Sequence, residues 1–151
     1  MSKEQLLDLL GPLTEFLRGI PLGDPGESVA RIEERFPYQG ETVETIRHAM
    51  VAAVDEGWLV PREKGAVKFG RLAAEYNGFS LDVVLSGGDG PRHLHPKGEV
   101  NLMFSWDGEP IFDGCEPGWA VFPPGSTHVP AVVGGQMLIL YLLPDGEVEW
   151  V

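Results

Sequence analysis

Pro91-Arg92-His93-Leu94-His95-Pro96-Lys97-Gly98-Glu99-Val100-Asn101-Leu102-Met103-Phe104 sets two imidazoles and a carboxylate at the spacing H-x-H-x3-E, ahead of an apolar run. Side chains on a strand alternate with period two, so His93 and His95 share a side and reach one ion together. Glu99 then enters from the start of the next strand. Composition predicts roughly 0.01 matches to this spacing by chance. A second stretch, Gly118-Trp119-Ala120-Val121-Phe122-Pro123-Pro124-Gly125-Ser126-Thr127-His128, ends a strand in a Pro-Pro-Gly turn and supplies another imidazole. The chain has 4 histidines, so three of them gather in these two stretches.

Around these stretches the chain divides in two. Ser2 with Gln5 forms a capping box, and Leu6, Leu9, Leu10, Leu13, Phe16 and Leu17 follow at helical spacing, with a break or kink expected at Gly11-Pro12. A short second helix carries Val29, Ile32 and Phe36 on one face, and a third over Glu41 to Glu56 turns Val43, Ile46, Met50 and Val54 inward before Gly57 ends it. After Gly57 come short β-rich runs: Trp58 to Val60, Ala66 to Leu72, Phe79 to Leu85, Val100 to Trp106, Trp119 to Phe122, Ala131 to Val133, Met137 to Leu143 and Val148 to Val151. Eight or so strands at short intervals predict a sandwich or barrel, with the helices packed outside it. We therefore expect a helical segment over residues 1–57 packed on a β-barrel over residues 58–151, in one compact domain, with Pro61 to Gly65 as a hairpin turn.

A net charge of −12 argues against nucleic acid and anionic membranes as partners. No apolar run approaches the roughly 20 residues that span a bilayer, and the N-terminus lacks the basic start and apolar core of a signal peptide, so the expected location is cytoplasmic. With Cys115 the single cysteine, thiolate clusters and internal disulfides are excluded, and a metal site here uses His and carboxylate. Cys115 itself reads as an inert thiol. His48 reads as a helix histidine, Gly87-Gly88-Asp89-Gly90 as a turn without the Lys-Ser/Thr of a phosphate loop, and Glu33, Glu34, Glu41 and Glu44 as a solvated face. Trp58, Trp106, Trp119 and Trp150 read as core or interface.

The two histidine stretches resemble the two motifs of the cupin superfamily. Gly87, His93, His95 and Glu99 fit G-x5-H-x-H-x3,4-E-x6-G, and Pro123, Gly125 and His128 fit G-x5-P-x-G-x2-H-x3-N. Trp106 stands at the closing glycine of the first, Gly118 is one residue too close in the second, and Val132 replaces its Asn. Over Leu72 to Trp150 the resemblance implies a small jelly-roll barrel, mainly β, holding one divalent ion through His93, His95, Glu99 and His128. The ion is Fe, Mn, Zn, Ni or Co, since imidazole and carboxylate suit all of these.

A narrower resemblance spans nearly the whole chain. Met1 to Leu7, Glu56-Gly57-Trp58, Lys68-Phe69-Gly70-Arg71, Phe79 to Val84, His95 to Glu99 and Leu140 to Gly146 are similar to the 4-hydroxylaminobenzoate lyase family. That likeness implies conversion of 4-hydroxylaminobenzoate to protocatechuate with release of ammonia, as in nitroaromatic degradation. On that likeness the ion would act as a Lewis acid toward the N-hydroxyl oxygen and assist N–O cleavage, water would add beside the nitrogen-bearing carbon, and imine hydrolysis would free ammonia. Glu99 serves as a ligand or as an acid/base. A buried substrate carboxylate needs a cation, for which Arg71 is the first choice and Arg92 the second. Tyr76 and Tyr141 offer hydroxyls in the cavity, and alternation on one strand puts either Met103 or Phe104 toward its lumen, with Phe104 assigned to the pocket. The partner is thus a small aromatic acid, and the barrel is expected to form a homodimer through its edge strands. Two other functions use the same residues: an Fe(II) dioxygenase of an aromatic or thiol substrate, and a non-catalytic binding protein.

Overall fold

Ser2 caps α1 (Lys3–Leu17) in the computed structural model, which describes all 151 residues. Both halves of the capping box form, with the Gln5 N–H donating to Ser2 Oγ at 3.2 Å and the Ser2 N–H to Gln5 Oε1 at 2.8 Å. The break expected at Gly11-Pro12 is absent, and the helix runs through Pro12. Leu6 and Leu10 before the proline and Leu13 and Leu17 after it are all buried in one core, so packing on both sides holds the helix together. The other helices are α2 (Pro25–Arg35), capped by Asp24, and α3 (Glu41–Asp55).

The strands are β1 (Arg62–Lys64), β2 (Val67–Tyr76), β3 (Phe79–Ser86), β4 (His93–His95), β5 (Glu99–Phe112), β6 (Gly118–Phe122), β7 (Ser126–His128), β8 (Val132–Pro144) and β9 (Glu149–Trp150). They form an antiparallel six-stranded sheet in the order β1-β2-β3-β8-β5-β6 and a three-stranded sheet in the order β7-β4-β9. The fold is mainly β, as expected, with the jelly-roll sheets left open rather than closed into a continuous barrel.

Period-two alternation gives the large sheet two different faces. Leu81, Val83 and Leu85 on β3, Leu138, Leu140 and Leu142 on β8, and Val100, Leu102 and Phe104 on β5 join the helices in one apolar core. Met103, Met137, Ile139 and Tyr141 point the other way and form a smaller cluster with Phe112, Ala120 and Val132. Two hydrogen bonds tie the loop after α2 to the sheet: the Trp119 indole N–H donates to the Phe36 carbonyl at 3.0 Å, and the Tyr38 hydroxyl to the Met103 carbonyl at 2.7 Å.

Three local expectations change. Trp58 to Val60 is not a strand; Leu59 instead buries into the helix-side core. Arg62 to Lys64, expected inside a turn, forms β1 and pairs with Val67 to Phe69. Ala131 to Val133 and Met137 to Leu143 are not separate strands, because β8 continues through Gly134 and Gly135 opposite two bulges of β5, between Ser105 and Asp107 and between Gly108 and Ile111. The close approach of the bulged β5 needs a residue without Cβ on β8: at Gly135 that atom would stand 2.2 Å from the Asp107 carbonyl oxygen.

Replacing Gly135 by Ala therefore should destabilise the protein by about 1–3 kcal/mol, the usual range for overpacking. Urea denaturation checks this as a lowered midpoint at unchanged slope. Val133→Ala, two residues away and 61% exposed, should stay within about 0.5 kcal/mol of the parent.

Candidate metal centre

Each histidine of the two motifs is delivered by the small sheet. β4 lies between β7 and β9, and its register sets His93 directly opposite His128 and His95 opposite Ser126. Directly opposed residues project to the same face of a sheet, so His93 and His128 point together, and His95 joins them two residues along. The three ring centroids lie 4.6, 4.7 and 4.8 Å apart. Glu99 comes from the large sheet, at the first residue of β5.

The Nε2 atoms converge on the Glu99 carboxylate. His95 lies 3.1 Å from Glu99 Oε2, His128 3.7 Å from the same oxygen, and His93 3.9 Å from Oε1. All four candidate ligand atoms fall within 4.8 Å of one another. These separations are slightly wider than the roughly 3 Å between neighbouring ligands of an ion with bonds of about 2.0–2.2 Å. His95 is fully buried, Glu99 is 1% exposed, and His93 is 6% exposed.

The outward nitrogens explain why the inner ones are free. His93 Nδ1 lies 3.0 Å from the Pro91 carbonyl, which can only accept, so Nδ1 carries the proton. His95 Nδ1 pairs with Ser126 Oγ at 3.0 Å, and His128 Nδ1 pairs with the Asp113 carboxylate. Nε2 of His95 and of His128 are buried with no hydrogen-bond partner, because Glu99 lies near them but out of line. Three imidazoles whose outer nitrogens are occupied and whose inner nitrogens face a common space, beside one carboxylate, fit a divalent metal ion.

Electrostatics agree with that fit. Burial alone would raise the Glu99 pKa, yet His128 and His95 beside it, with His93, hold it down to about 2. Burial pushes the His93 pKa down, against the Pro91 hydrogen bond and the Glu99 charge. For His128 burial also acts downward, but Glu99 and Asp113 on its two sides outweigh it and raise the pKa.

Two supporting residues were not singled out in the sequence. Asp113 sits with Gly114 in a two-residue turn between β5 and β6, with φ of 49° and 79° and paired Phe112–Cys115 backbone hydrogen bonds of 2.9 and 2.7 Å. This is the Asp-Gly hairpin signature, legible as a turn, although nothing local says that its carboxylate reaches His128. Asn101, fully buried two residues after Glu99, donates from Nδ2 to Glu99 Oε2 at 3.2 Å, and its Oδ1 is unpartnered.

The other expected site residues separate. Tyr141 lies on the site face of β8, opposite Asn101, packed against Phe112, with its pKa raised well above the usual phenol value by burial and by the Glu99 and Asp113 charges. Phe104 is not a pocket residue: it faces the helices and stacks on Tyr38 at 5.9 Å, while Met103 takes the site side. Tyr76 is likewise outside, because it points to the helix face and its hydroxyl donates to the Leu7 carbonyl at 2.7 Å. Arg71 lies on the site face but two strands beyond Tyr141, with its guanidinium paired to Asp82 at 2.8 Å. Arg92 is exposed beside His93. Burial pushes the Cys115 thiol pKa up, aided by the Asp113 charge, in line with an inert thiol. His48 pairs with Glu44 on the exposed side of α3.

A family profile described as PnbB: 4-hydroxylaminobenzoate lyase matches residues 10–150. The 4-hydroxylaminobenzoate lyase of Pseudomonas putida is 25% identical over 165 residues, covering 95% of this chain and 94% of that protein. The enzyme of the same name from Nocardioides sp. (strain LMS-CY) is 27% identical over 157 residues, covering 95% and 93%. Among solved structures, an RmlC-like cupin protein from Ralstonia eutropha aligns with a TM-score of 0.48 at 13% identity, covering 62% of this chain and 66% of that one.

Changing Asp113 to Asn keeps a residue suited to the turn but removes the charge behind His128. We expect metal affinity to fall about ten-fold, within the usual 10- to 100-fold loss for such support residues, with the melting temperature of the metal-free protein little changed. Dialysis against buffered Zn²⁺ followed by elemental analysis measures it; His95→Ala should retain no stoichiometric metal.

Proposed function

The chain belongs to the 4-hydroxylaminobenzoate lyase family, and from that premise we propose that it is a metal-dependent lyase converting 4-hydroxylaminobenzoate and one water to protocatechuate and ammonia. The observation that carries the reading is the convergence of three imidazole nitrogens, those of His95 and His128 buried without a partner, on one buried carboxylate. His93, His95, His128 and Glu99 would hold a divalent ion, which would supply Lewis-acid chemistry toward the N-hydroxyl oxygen.

The chain's own residues take the remaining roles. Glu99, enclosed by the imidazoles and anchored by Asn101, is assigned as a ligand rather than the acid/base. Tyr141, held protonated on the site face of β8, is assigned as a hydrogen-bond donor to a substrate oxygen. Arg92, exposed beside His93, is the carboxylate partner in preference to Arg71, whose guanidinium already holds Asp82. The Phe112, Phe122 and Tyr141 rings provide an apolar wall for an aromatic ring.

The test is anaerobic turnover of 4-hydroxylaminobenzoate by metal-loaded protein. Ammonia and protocatechuate should appear in equal amounts without oxygen uptake, and His95→Ala should reduce the rate at least about 100-fold. Turnover that requires oxygen would favour the dioxygenase reading; metal loading without turnover would leave a binding protein.

A further inference from the structure

The strand register that joins His93 to His128 also extends one strand further. On its other edge β4 pairs with β9, and there His93 stands directly opposite Trp150. His128, His93 and Trp150 thus form one cross-strand row on a single face of the small sheet, the face that carries the metal ligands. Leu94, with Thr127 and Glu149 as neighbours, takes the opposite face.

Trp150 differs from the chain's other tryptophans. Trp119 is buried with its N–H bonded, and Trp58 and Trp106 pack partly buried against the helix-side core. Trp150 is 68% exposed, although its ring contacts His93 edge-to-face at 5.6 Å and 67°. Its position is fixed along the edge of β4, by pairing with His93 and by the Val151 N–H donating to the Arg92 carbonyl at 3.2 Å. An indole that is pinned to a ligand imidazole yet open to solvent offers an unused aromatic surface at the edge of the site. Arg92 is held next to it through the same backbone bond.

We propose that Trp150 is a specificity-determining residue, whose indole packs on the ring of a planar aromatic carboxylate bound at the metal centre and selects it over a saturated acid of equal size. The assignment rests on the lyase reading for the class of ligand, but not on its chemistry. Stacking needs only a flat π-face, whereas a saturated ring presents axial hydrogens and loses the close contact.

Calorimetric titration of Zn²⁺-loaded protein with protocatechuate, benzoate and cyclohexanecarboxylate tests it, using the parent, Trp150→Ala and Trp150→Phe. The parent should bind benzoate more tightly than cyclohexanecarboxylate. Trp150→Ala should weaken benzoate and protocatechuate about three- to ten-fold and leave cyclohexanecarboxylate nearly unchanged, and Trp150→Phe should restore most of the preference. Zinc content and sedimentation are measured on every variant. The proposal is overturned if the parent shows no aromatic preference, if Trp150→Ala weakens all three acids equally, or if it acts through lost zinc or an altered oligomeric state. Ammonia release plays no part in this readout, so a protein with the Trp150-dependent preference but no turnover would sink the lyase reading and leave this one standing.

Discussion

An ionised carboxylate out of reach of water is the constraint that organises this protein. Glu99 is 1% exposed, and a buried charge of that kind costs several kcal/mol unless it is compensated. The compensation comes from His93, His95 and His128, and bringing them there requires the small sheet to lie against the far face of the large one. The short strands β4 and β7 make little core of their own. Their register is set by where the imidazoles have to go, and Pro91, Ser126 and Asp113 each occupy an outer nitrogen so that the inner ones face Glu99.

The large sheet separates stability from chemistry by alternation alone. One residue along β5 takes the chain from Glu99 in the site to Val100 in the helix-side core, and the same step separates Met103 from Phe104. A register slip of one would move Glu99 into the leucines and the leucines into the site, so the apolar core beneath the helices also fixes where the candidate metal ligands stand. The helices contribute no ligand, but they cover the face that makes this register costly to change.

Much of this was legible in the sequence, for identifiable reasons. H-x-H-x3-E and Pro-Pro-Gly-x2-His are local patterns whose geometry follows from strand periodicity and a turn, so the four residues that cluster here could be named as candidates in advance. Helix starts were readable from Ser2 and the leucine spacing. Contacts between distant segments were not. Asp113 meets His128 across 15 residues and Trp150 meets His93 across two strands, while Tyr76 and Arg71, plausible by type, are occupied by Leu7 and Asp82. Met103 and Phe104 posed a binary choice that alternation states but cannot resolve without a fixed register. Gly134-Gly135 looked like a break because glycines usually end strands, whereas here they let β8 run on close beside the bulged β5.

The donors for one ion are split between two sheets that share no ladder, three on the small sheet and one on the large. An ion bound by both would therefore work as a removable cross-link, and its binding free energy would be partly the cohesion between the sheets. The helix-side core does not depend on it. With such an ion bound, the helix-backed sheet would stand on apolar burial alone, and the histidine-bearing small sheet would lose part of its anchorage when the ion is removed.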